Sequence, residues 1–181
     1  MTTTSVPVVV QYRDVPAAIR SLTTIPSPDY VDVFAVTTSN AADASAEQWA
    51  RAGIEEAAGD AGQFVWRVLL GLRLERQSSL DRVGGWKITD RGDTWIRLEA
   101  ASWLLTAHLV VHADDREVTV ATFIRYDRPL AALVWAPLSV GHRKAMPGLL
   151  RRAVRAVARI TQREEAISGP SRGNLATEVR E

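Results

Sequence analysis

The sequence predicts an α+β fold: one curved antiparallel sheet, two short helices after the first firm strand, and a long, kinked C-terminal helix across the sheet. Three observations carry this. Between residues 86 and 126 apolar residues recur at every second position through successive runs, so they share one face of extended chain. From Pro129 onward the apolar period changes to 3.6. Between these and the strand-like run 30–38 stands a helix-start signal at Ser45.

Residues 1–27 read as an extended segment that wraps the surface. Pro7, Pro16 and Pro26, with Pro28 just beyond, each remove a backbone donor and bias the preceding residue toward extended geometry. Within this segment, residues 6–12 could add an edge strand. Residues 30–38 are rich in Val and Phe and end at Ser39 and Asn40, which marks the first firm strand. Ser45-Ala46-Glu47-Gln48 fits a capping box, and Ala46, Trp49, Ala50, Gly53, Ile54 and Ala57 follow at helical spacing to a stop at Gly59. Residues 60–63 repeat the box more weakly, and Phe64, Val65, Val68, Leu69 and Leu72 give a second short helix with one apolar stripe. Residues 75–82 form a polar connector without periodicity.

In the alternating region one face collects Trp86, Ile88, Ile96, Leu98, Ala100, Trp103, Leu105, Ala107, Leu109, Val111, Val118, Val120, Thr122, Ile124 and Tyr126. Arg97, Glu99, Thr106, His108, His112, Thr119 and Arg125 take the other, so by this register no carboxylate of the sheet points inward; Arg97 and Glu99 would do so only if the first long strand slipped by one residue. Residues 90–93 and 113–116 carry hairpin-turn chemistry, whereas a turn near Ala101 and Ser102 is inferred from the switch of phase alone. The final stripe runs from Leu130 through Leu133, Val134, Leu138, Met146, Leu150 and Val157 to Ile160, on the order of 50 Å of helix. Pro137 and Pro147 should break it into two or three pieces, the last, 148–163, packing on the sheet. Residues 164–181 read as a flexible polar tail.

A chain of 181 residues suits one domain, placed here at 28–163. The absence of cysteine excludes a disulfide framework and thiolate metal sites. Residues 1–5 carry no basic residue, and the apolar run 8–10 is too short for a signal or a membrane span, so a soluble cytoplasmic protein is expected. A net charge of +1 gives no global field toward nucleic acid or membranes. Arg151, Arg155, Arg159 and Arg163 nevertheless form a ladder opposite Leu150, Val154 and Val157. That ladder is either a solvated face or a contact surface for an acidic partner; no aromatic residue interleaves with it as nucleic-acid binding would favour.

Leu69-Leu70-Gly71-Leu72-Arg73, Gly85-Trp86, Arg125-Tyr126-Asp127, and Trp135 followed by Gly141-His142-Arg143 carry a family resemblance. Together with the order of elements over residues 28–163, this wording resembles an uncharacterised branch of the START-like (SRPBCC) helix-grip superfamily, related to polyketide cyclases and lipid-transport proteins. Five strands are firm in the sequence where that superfamily has six or seven. The resemblance implies a sheet that grips the last helix around an apolar cavity for a hydrophobic molecule. It implies no cofactor and does not imply catalysis, since members include carriers and enzymes.

The candidate ligand-binding residues are Trp86, Trp103, Thr122, Tyr126, Trp135, His142 and Arg143. The four rings share the apolar side and serve either as core or as pocket lining. His142 and Arg143 lie between two prolines, where they could hold an anionic head group or bond freed carbonyls or an acid such as Asp127. The expected reactive or head-group end is where Tyr126 meets His142 and Arg143. His108 and His112 stand roughly 13 Å apart along a strand on the polar face, too far to share a metal ion, and are read as solvated. No phosphate loop, nucleophile elbow, zinc signature or carboxylate pair is present. Three functions therefore compete. The first is a binding protein for a lipid or polyketide-like molecule, leaning away from enzyme. The second is an aromatase or cyclase using Tyr126, His142 and Arg143, and the third an interaction module working through the arginine ladder.

Overall fold

The computed structural model describes residues 7–75 and 79–168. The expectations for residues 1–6, for 76–78 of the connector and for 169–181 of the tail lie outside the described residues. The strands are β1 (Val9–Tyr12), β2 (Tyr30–Thr37), β3 (Arg82–Val83), β4 (Trp86–Arg91), β5 (Trp95–Ala101), β6 (Leu105–Ala113) and β7 (Glu117–Tyr126). They form one antiparallel sheet in the order β1-β2-β7-β6-β5-β4-β3, so the α+β helix-grip-like arrangement expected from the sequence is the one observed. Among the described residues seven strands stand where five were firm in the sequence. The two additions, β1 and β3, are edge strands of four and two residues, too short to show an alternating pattern.

The register of β4 to β7 is the predicted one. Ala107, Leu109 and Val111 of β6 and Val118, Val120, Thr122 and Ile124 of β7 all face the same, inner side. Asp114 fixes the last hairpin by accepting from the backbone N–H of Arg116 and of Glu117, an Asx-type turn. The weakly signalled turn closes through the Ser102 hydroxyl, which accepts from the N–H of Leu104 and Leu105. Trp103 therefore sits at the tip of that turn and is 60% exposed, a correction to its assignment to the inner face.

On the inner side, α2 (Ala46–Arg51) starts at the predicted capping box: Ser45 accepts from the Gln48 N–H and Gln48 returns a bond to the Ser45 N–H. It continues as a π-helical run, Ala52–Ala58, and α3 (Gly59–Phe64) likewise continues into a π-helical run, Val65–Leu69. Gly59, with φ of 49°, supplies the predicted joint. The second capping box is not formed; Gln63 instead donates to the Gly84 carbonyl and accepts from Arg67. The wider π turn also moves the apolar stripe. Val65, Trp66 and Leu70 face inward, whereas Phe64, Val68 and Leu69, placed on the stripe by a 3.6 period, are exposed.

The C-terminal helix α4 (Leu130–Ser168) is one element of 39 residues, about 58 Å long, and takes Pro137 and Pro147 inside it. Each proline deletes a single N–H donor, and packing of the helix against the run 52–58 and against β1 and β2 holds the ladder together across both. It also extends past 163, so residues 164–168, read as part of a tail, are helical.

The outer face of the sheet is covered as well. Residues 13–29 cross it, with α1 (Ala17–Arg20) in their path, and Ile19 and Ile25 pack there on Val33, Val110, Ala121 and Phe123 as a second core. This reverses the expectation of a solvated outer face. His108 is buried, its Nδ1 2.9 Å from the Thr23 hydroxyl and its Nε2 3.3 Å from Glu99. Burial pushes the His108 pKa below its ordinary value, against the opposing effect of Glu99.

Candidate functional site

Between the inner face, α2–α3 and α4 lies a cavity of about 440 Å³. The sheet contributes Trp86, Ala107, Leu109, Val111, Val118, Val120, Thr122 and Ile124 to its wall. The opposite wall, from Trp49, Ile54, Trp66, Trp135, Leu138, Met146 and Leu150 among others, is equally apolar. Trp66 meets Trp86 edge to face at 5.7 Å, closing one side with two perpendicular rings. Apart from the indoles, the polar side chains on the wall are Thr122, His142 and Arg152.

Of the residues singled out in the sequence, Trp86, Thr122, Trp135 and His142 line this cavity, and Trp103, Tyr126 and Arg143 do not. Tyr126 ends β7 half-buried, its backbone N–H donated to Asp29, and both burial and the Asp29 carboxylate raise its hydroxyl pKa. The ring that stands beside Trp135 and Arg143 is Tyr30 of β2. Trp135 meets it edge-on at 5.2 Å, and the Arg143 guanidinium lies over it at 5.8 Å, within cation–π range. Asp127, the acid considered for His142 and Arg143, instead accepts from Thr106 and Arg125.

His142 meets a residue that sequence reasoning passed over. Its Nε2 is 3.0 Å from Oδ2 of Asp32, whose side chain is only 2% exposed. The same Oδ2 accepts from the Tyr30 hydroxyl at 2.5 Å, and the Thr122 hydroxyl lies 3.4 Å from His142 Nε2. Burial, then the Asp32 carboxylate, pushes the Tyr30 pKa up. β2 explains the placement. Phe34 and Val36 belong to the main core, so Tyr30 and Asp32, at the same parity, also point inward, and pairing with β7 sets Asp32 opposite Thr122. Asp32 therefore corrects the expectation that no carboxylate of the sheet faces inward, an expectation drawn from the register of the later strands and not from β2.

Three buried polar side-chain atoms among the described residues lack a hydrogen-bond partner: Asp32 Oδ1, Trp86 Nε1 and Trp135 Nε1. All belong to the inner side. Leaving such a group unpaired costs about 1–3 kcal/mol, so the cavity side is left less satisfied than the outer core. Trp49 shows the contrast, since its indole donates to the Ala41 carbonyl at 3.0 Å.

Elsewhere, Arg155, Arg159 and Arg163 are exposed, with Arg159 3.4 Å from Glu56, while Arg151 donates to the Pro7 carbonyl. No helix among the described residues is long and apolar enough to cross a membrane, and no cluster of three or more His, Asp or Glu among them could hold a metal ion. Compared with protein-family models, curated proteins and solved structures, the chain finds no match.

Proposed function

We propose that the chain binds a small hydrophobic molecule in the cavity between the sheet and α4, as a cytoplasmic carrier or receptor and not as an enzyme. The observation that carries the reading is the wall. A volume of about 440 Å³ is lined almost wholly by aliphatic and aromatic side chains, within the range of small-molecule pockets. A core built only for stability fills such a space, because interiors pack to crystal-like density and voids cost free energy. The START-like resemblance read from the sequence points the same way, toward a lipid or polyketide-like ligand. The enzyme alternative draws less support, because neither Tyr126 nor Arg143 is on the cavity wall with His142, and the Arg143 guanidinium lies over the Tyr30 ring.

Native mass spectrometry of protein purified from its own host tests the proposal. An apolar molecule of one defined mass should co-purify, and Val120→Phe, which places a ring in the cavity, should abolish it. Protein that carries no such molecule, and binds none from a panel of apolar fluorophores, overturns the reading.

A further inference from the structure

We infer that the ligand is an apolar molecule bearing a hydroxyl group, an alcohol or a phenol, seated against His142, and that a carboxylate is discriminated against there. The inference rests on the proposed hydrophobic cavity and names the polar chemistry at one place on its wall. His142 Nε2 faces Asp32 Oδ2 at 3.0 Å, so the Nε2 proton points at a buried carboxylate that the Tyr30 hydroxyl also holds in place. In the neutral imidazole, donation from Nε2 fixes the tautomer that leaves a lone pair on Nδ1. Among the described residues Nδ1 of His142 has no hydrogen-bond partner, whereas both nitrogens of His108 are engaged, by Thr23 and Glu99. His142 also lines the cavity and keeps 23% of its side chain exposed, so a bound molecule can reach it.

An unpaired ring lone pair beside an apolar wall suits a donor of a hydrogen bond, which a hydroxyl supplies and a bare hydrocarbon does not. A carboxylate has no proton to give and would lie close to the Asp32 charge in a poorly screened interior. The cations of α4 do not reverse this. Arg143 is turned to the Tyr30 ring, Lys144 is exposed, neither is on the wall, and Arg152, which is on the wall, is ten residues further along α4, about 15 Å away.

The test uses three probes with one skeleton, pyrene, 1-hydroxypyrene and 1-pyrenecarboxylate, titrated by fluorescence into the intact, ligand-stripped chain. Hydroxypyrene should bind about tenfold more tightly than pyrene, and the carboxylate more weakly than pyrene. In His142→Phe the ratio between hydroxypyrene and pyrene should collapse to about one. Should that variant fail to fold with Asp32 stranded, Asp32→Asn combined with His142→Phe removes the stranded charge, and the comparison on the unaltered chain decides the matter without any variant. Binding of none of the three probes overturns the hydrophobic cavity and this inference with it. Pyrene binding with no advantage for the hydroxyl, or with the carboxylate favoured, overturns the hydroxyl inference alone.

Discussion

Each face of the sheet has a histidine held against an acid, and the two pairs serve different ends. On the outer face His108 has Thr23 on one nitrogen and Glu99 on the other, beneath a segment that brings Ile19 and Ile25 onto Phe123 and Val110. Among the described residues no buried polar side-chain atom of that layer lacks a partner. On the inner face His142 is tied to Asp32 by one nitrogen only, three buried polar atoms lack partners, and about 440 Å³ stays unfilled. One sheet thus separates a finished interior from an unfinished one. The lesson is that burial by itself does not distinguish structure from site; the count of unanswered groups does.

Paired truncations should break this contrast most visibly. Phe123→Ala opens a hole in the outer core, where Phe123 is fully buried, and should lower stability by about 3–5 kcal/mol. Leu109→Ala, on a wall already open on one side, should cost about 2 kcal/mol or less, since fewer contacts are lost. Denaturant unfolding of both variants measures the gap, and equal losses would mean that the cavity is packed in solution.

The next effect is set by pH. Because folding lowers the His108 pKa from its ordinary 6.5, the unfolded chain binds the extra proton first. Stability from this group is therefore complete above about pH 6.5 and falls as the pH drops below it and on through the folded value, by at most about 1.4 kcal/mol per pH unit. His108→Gln should flatten that part of the profile, and an unchanged slope would show that the outer layer opens before His108 titrates. The smallest change concerns the helix that closes the cavity. Ser45→Ala removes the capping-box acceptor of α2 and should cost about 1 kcal/mol by the same unfolding measurement, with nothing lost from the outer core.

How much of this was legible in the sequence divides along the same lines. Strict alternation through residues 105–113 and 117–126 fixed which side chains face inward, because a period of two admits only one partition once a face is buried. The capping box at Ser45 and the Gly59 joint were local signals and were found as such. Asp32 was hidden in plain alternation. It shares parity with Phe34 and Val36, but only the pairing of β2 with β7, some ninety residues away, says which parity is inner. The burial of His108 depends in the same way on the N-terminal segment docking across the sheet, a contact without local pattern. The π-helical runs defeated the reading of α3 for another reason: their i→i+5 bonding, as from Leu70 N–H to the Val65 carbonyl, carries no composition mark and shifts the stripe that a 3.6 period extrapolates.

The short strands β1 and β3 leave the sheet open at both sides, and the two margins are not equally inviting to a foreign strand. Beside β3, carbonyls are already claimed by side chains: Gly84 by Gln63, Leu74 and Glu75 by Arg67, and Ser79 by Arg51. An incoming strand there must first displace three anchored donors. At β1 the one such side-chain claim among the described residues is that of Arg151 on the Pro7 carbonyl, and Val8 and Val10 are exposed beside it. Strand addition, the usual hazard of an unpaired sheet margin, would meet fewer anchored side chains at the four-residue β1 than at β3. A charged residue in place of Val10 should be enough to suppress it.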